Sequence, residues 1–203
     1  MFLLFLLIGV LPEKEWMVYG TNDNGKIGTI SVTANRDSVG YHILYVSDRI
    51  IETVLDGSDL STLFVKKTIG DNVVLEIRTD DAFIVHQNGR ERRYKNEPPI
   101  YDRHTLDFAL RGIDYDLGFQ RRIRLHVPEL TVVNAHLQVQ SIATVAAPAG
   151  EFQCWEICMK PRIIFFGRVL LFYIEREYPH RFIKYVDRAG GLTITLMSYG
   201  KMQ

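Results

Sequence analysis

The sequence predicts a mostly β (α+β) fold: a large curved antiparallel sheet forming a half-open barrel, with one mid-chain helix on its concave face. Three observations predict it. Short segments rich in β-branched and aromatic residues recur at intervals of roughly eight to twelve residues. Clusters of Gly, Asn and Asp separate them. Only one stretch, near Asp102 to Arg111, repeats apolar residues at helical spacing.

The first eleven residues, Met1 to Leu11, are apolar apart from Gly9. A run this short cannot cross a bilayer, which takes about 20 residues, but it has the length of a signal-peptide core. Residues 1–15 are therefore expected to be an export-type leader and residues 16–203 a single β-rich half-barrel domain, periplasmic or otherwise exported, with no membrane span in the mature chain.

Strands are expected at Ile27 to Thr33, Tyr41 to Val46, Ile50 to Leu55, Leu63 to Val65 and Val73 to Arg78. The clearest hairpin is Phe83 to His86 and Glu91 to Tyr94 around Asn88-Gly89, the pair that suits a two-residue type I′ turn. Asn96-Glu97-Pro98-Pro99 breaks the rhythm. A helix is then expected to begin near Asp102, cover His104 to Arg111 and stop at Gly112. Leu106, Ala109, Leu110 and Ile113 form its apolar stripe, with Phe108 at the edge, and that stripe asks for a sheet face.

Strands resume at Arg122 to Val127, ended by Pro128. Thr131 to Val145 is long enough for one bent strand or a strand pair. Ala146 to Gly150 reads as a turn, with Phe152 to Met159 following. Ile163 to Ile174 is apolar on both faces, which suits a central position beneath the helix, with Gly167-Arg168 as a turn or bulge. Phe182 to Val186 and Leu192 to Tyr199 complete the series, around Ala189-Gly190-Gly191.

Charge narrows the function classes little. Twenty-four basic residues balance twenty-four acidic ones, giving no overall attraction to nucleic acid or anionic lipid. Two local basic groups, Arg90, Arg92, Arg93 with Lys95 and Arg121, Arg122 with Arg124, read as solvated strand edges rather than a phosphate-binding surface. No nucleic-acid partner is expected.

No catalytic signature stands out. The glycines mark turns instead of a phosphate loop, and no nucleophile elbow is present. Cys154 and Cys158 lie four apart. On a strand their Cα atoms would be about 13 Å apart at ~3.3 Å per residue, beyond the reach of a disulfide. Two free thiols are expected, and no metal centre, since no further ligands stand at zinc-site spacing. His126 and His136 are placed where adjacent strands would bring them face to face. His104 and Asp107, one helical turn apart, could share a face. No catalytic residue, cofactor or metal is expected, and the chain reads as no enzyme.

Val145-Ala146-Ala147-Pro148-Ala149-Gly150-Glu151-Phe152-Gln153-Cys154-Trp155 resembles the "vPAGeFdc" turn and strand of a family of exported bacterial proteins of unknown function. Glu177 to Tyr185 is similar to that family's Pro-containing step into its last strands. Tyr101 to Arg111 resembles its mid-chain helix ending in Arg. The resemblance covers the C-terminal half plus the helix. It implies the half-barrel fold of the lipoprotein localisation factors and an export route.

A half-barrel leaves an apolar gap between sheet and helix. The expected function is an extracytoplasmic binding or carrier protein for an apolar ligand: an acyl chain, a lipid or a lipoprotein. Leu106, Phe108, Leu110, Trp155, Phe165 and Phe172 are the candidate groove residues. The alternative is a non-enzymatic structural or interaction protein of the cell envelope, with a filled half-barrel and an envelope protein as partner at a sheet edge.

Overall fold

The computed structural model describes residues 11–128, 130–162 and 169–202. Its strands are β1 (Lys14–Asp23), β2 (Lys26–Arg36), β3 (Gly40–Val46), β4 (Ile50–Asp56), β5 (Thr62–Ile69), β6 (Asn72–Thr79), β7 (Ala82–Gln87), β8 (Arg90–Lys95) and β9 (Ile100–Asp102). A 3-10 turn (Arg103–Thr105) and α1 (Leu106–Arg111) follow. The chain ends with β10 (Gln120–His126), β11 (Val132–Ala147), β12 (Gly150–Pro161), β13 (Leu170–Glu175), β14 (Phe182–Asp187) and β15 (Leu192–Lys201).

All fifteen strands belong to one open sheet, β8 back through β1, then β15 back through β9. Every neighbouring pair is antiparallel except β9 and β10. The expected β architecture holds. β1 and β9 are the two strands that periodicity did not single out. β1 takes in Lys14 and Glu15, and joins the two halves of the sheet by pairing with β2 and β15.

Turn chemistry fits the hairpins. Asn88 and Gly89 have φ of 51° and 72°, the left-handed conformation a two-residue turn needs. At the opposite end, a Cβ on Gly40 would stand 1.9 Å from the Leu55 carbonyl oxygen, so β3 can start there only with glycine. β11 is one long strand, kinked by an irregularity between Val139 and Ser141. It runs through Ala147, and β12 starts at Gly150, so the expected turn shrinks to Pro148 and Ala149. The apolar run Ile163 to Ile174 is seen only from its C-terminal part as β13. Gly167-Arg168 lies outside the described residues.

The sheet curls until its edges approach. β8 and β9 are its two edge strands and are consecutive in the chain. Ile100 of β9 packs with Val65, Leu75, Ile77, Phe83 and Val85 from the far side. Arg92 Nη1 donates to the Leu130 carbonyl at 2.5 Å, and Arg124 Nη1 to the Lys95 and Pro98 carbonyls at 2.6 and 2.8 Å. The main core gathers at the end that holds α1, where Leu11, Met17, Tyr41, Leu55 and Leu60 are buried with the helix.

Candidate functional site

The helix and its polar tethers are the most distinctive feature of the interior. Leu106, Ala109 and Leu110 are buried, and Ile113 is partly buried against the same core, so the expected stripe does face the sheet. α1 is only six residues long and would be marginal alone. Three tethers involving charged side chains hold it.

The first precedes the helix. Asp102, fully buried, accepts the His104 amide at 2.8 Å as the cap of the 3-10 turn. Its Oδ1 lies 2.7 Å from His104 Nδ1 and its Oδ2 2.6 Å from His126 Nδ1. The Asp102 amide donates to Thr62 Oγ1 at 2.7 Å, and Thr62 and Thr105 hydroxyls are 3.0 Å apart. Burial alone would raise the Asp102 carboxyl, but the two imidazoles overcome it and hold the group well below the usual carboxylate range.

The second tether is Asp107, whose Oδ1 accepts the Tyr45 hydroxyl at 2.8 Å. Burial pushes this carboxyl up to about 6, against the Tyr45 hydrogen bond and the Phe108 amide, which lower it. The third is Arg111, fully buried and ion-paired with Glu15: Nη2 donates to Oε2 at 3.1 Å, and Nη1 lies 2.7 Å from Oε1. Its Nε donates to the His180 carbonyl, its guanidinium sits 4.6 Å from the Phe108 ring centre, and Nη2 also reaches the Pro179 carbonyl.

Neither expected histidine pairing forms. His126 does not face His136, because β10 and β11 pair His126 with Val132 and His136 with Arg122. His104 does not couple to Asp107: it turns back to Asp102 while Asp107 points to Tyr45. His126 and Asp102 lie 24 residues apart and meet only because β9 and β10 run parallel in register there. Periodicity could not have found that pairing. Arg111 carried a weak signal, a charged residue adjoining the apolar stripe, but nothing in the sequence pointed to Glu15.

Of the candidate groove residues, Leu106, Phe108, Leu110 and Phe172 fall in one core cluster, at 3, 1, 1 and 4% exposure. Trp155 is partly buried against it, its ring 6.4 Å from Tyr115 and 4.8 Å from the Arg176 guanidinium. Phe165 lies outside the described residues. The other five are buried in this core or, for Trp155, packed at its margin.

Cys154 and Cys158 are free and buried, as the strand assignment requires. Among the described residues, no group of three or more His, Cys, Asp and Glu is arranged to hold a metal ion. None of their helices is long and apolar enough to cross a membrane. Two surface concavities, about 350 and 430 Å³, lie against the β7–β8 hairpin, away from the helix.

No family model matches the chain, and no curated protein is similar to it. Solved structures are. A β-barrel-like protein of a domain of unknown function, DUF1849, from Brucella abortus aligns over 96% of this chain and 100% of its own, with TM-score 0.63 and 13% identity. That likeness shows the fold. Two further structures are similar at lower scores. One is a putative lipoprotein from Parabacteroides distasonis (9% identity, 96% of this chain and 99% of that one, TM-score 0.36). The other is a putative exported protein with a YmcC-like fold from Bacteroides fragilis (11% identity, 97% and 100%, TM-score 0.34).

Proposed function

We propose that this chain is a non-enzymatic interaction or scaffold protein of the cell envelope whose barrel is filled by its own helix. One observation carries the reading: Leu106, Phe108, Leu110 and Phe172, which a ligand groove would leave open, are exposed by 4% or less. A lid that opens for a ligand belongs among the less stable parts of a fold. This helix is instead held by a buried ion pair and a buried carboxylate between two histidines. The apolar run at Met1 to Leu11 supports the envelope as its compartment.

The carrier reading keeps one observation of its own. Toward the β1–β2 and β3–β4 turns, the inward-facing Ile30, Ile51, Tyr185 and Ile194 are only partly buried against the core. A short apolar mouth at that end would receive the tip of an acyl chain. Titration of the full chain with a fluorescent fatty acid separates the two readings. No saturable binding supports the filled barrel, and saturable binding lost on Ile30→Asp supports the carrier.

A further inference from the structure

The structure leaves one sheet edge open, and the chemistry of that edge is specific. β8 pairs with β7 alone. The register sets Gln87 opposite Arg90 across the two-residue turn, making that pair hydrogen-bonded, so Glu91, Arg93 and Lys95 turn their backbone groups to the open side. The Lys95 carbonyl is taken by Arg124, and Leu130 and Thr131 meet the side chains of Arg92 and Tyr94. Among the described residues nothing pairs with the outward backbone of Glu91 and Arg93, and both surface concavities flank this stretch.

The charge of this half-edge departs from that of the chain. The chain is neutral, yet Arg90 and Arg93 are exposed and have no ion-pair partner among the described residues. The one acid between them, Glu91, lies beside His86 at 3.7 Å. Exposed edges are commonly blunted by lysine. Arginine differs because its planar fork grips carboxylates bidentately.

Resting on the interaction-protein reading above, we propose that the free edge of β8 takes up an extended acidic segment of a partner protein as an added strand. The backbone of Glu91 and Arg93 supplies the ladder. Arg90 and Arg93, on opposite faces of the strand, read carboxylates that the incoming segment presents on each of its two faces.

The test is fluorescence polarisation of the full chain with a labelled peptide of about ten residues in Glu-Glu-Val-Val repeats, which presents carboxylates on both faces. Controls are its Lys-for-Glu counterpart and a copy N-methylated at alternate amides. The expected result is binding of the Glu peptide about tenfold or more tighter than either control. The same loss is expected on Arg93→Pro, which removes an amide that β7 does not use, and on the double change Arg90→Glu, Arg93→Glu. Absence of Glu-peptide binding overturns the proposal. So does equal binding of the N-methylated copy, which means charge without strand addition and stays informative if Arg93→Pro fails to fold. Tighter binding of oligothymidylate than of the Glu peptide also overturns it, as a polyanion surface. These failures leave the interaction reading standing if the fatty acid is still excluded, and saturable fatty-acid binding overturns that reading whatever the peptide does.

Discussion

Arg111 of α1 and Glu15 of β1, 96 residues apart, form an ion pair with side-chain exposures of 0 and 8%. The contact ties the only α-helix among the described residues to the strand that joins the two halves of the sheet. A pair of this kind gives little net stability over an apolar replacement, but losing one member strands the other charge in the interior.

Glu15→Ala is therefore expected to destabilise by about 3–5 kcal/mol in urea unfolding, because Arg111 stays buried without its carboxylate. Glu15→Ala combined with Arg111→Met should recover most of that loss. A double variant as weak as the single one would mean that packing around Arg111, not charge, holds the helix.

Asp102 and Asp107 should give opposite pH signatures. The folded carboxyl of Asp102 is depressed, so its contribution is complete above the usual aspartate value, about pH 4, and is lost as pH falls through the folded value. Asp107 is raised to about 6, so its favourable contribution is present below about pH 4 and is lost as pH rises through 6. Asp107→Asn keeps an acceptor for Tyr45 and should be about 1–2 kcal/mol more stable than the parent at pH 7, with no gain at pH 4. Asp102→Asn should cost about 1–3 kcal/mol at pH 7, and that cost should shrink toward pH 2. Chemical denaturation at several pH values reads both.

Much of the fold was legible because a half-buried strand announces itself by alternation, and Asn-Gly by its turn. Long-range polar meetings announce nothing. Thr62, Asp102 and His126 come from three separate segments and meet only after the sheet has curled. β1 was missed because its apolar positions, Trp16 to Tyr19, are consecutive and follow the apolar run of Met1 to Leu11. The groove residues were recognised as apolar, but whether such a set lines a void or fills it depends on the third dimension.

The β7–β8 turn offers a backbone test. No atom lies within 4 Å of a Cβ placed on Gly89, so its φ of 72° is the only obstacle to a side chain. Gly89→Val should destabilise by roughly 1–3 kcal/mol, while Gly89→Asn should be tolerated. An unchanged melting temperature for the valine variant would show that the turn can reorganise.

Thiol chemistry tests the β12 strand. Denatured, non-reduced monomer should titrate with two thiols, whereas the native protein should react slowly at pH 8. Burial pushes the Cys154 thiol up to about 12 and raises Cys158 as well. A monomer with no free thiols would contradict the strand, which holds the two side chains apart.

A barrel filled by α1 should be felt first at Leu110, which is exposed by only 1%. In a packed interior Leu110→Ala removes contacts on all sides and should cost about 2–5 kcal/mol. In a lidded groove the site is already partly hollow, so the cost falls below that range and the uptake of a fluorescent fatty acid changes. The decisive measurement is urea unfolding of the parent and Leu110→Ala, each with and without that probe. A loss of about 2–5 kcal/mol, with neither protein stabilised by the probe, is the predicted result. A loss under about 1 kcal/mol, with the parent stabilised by the probe, would contradict the filled barrel.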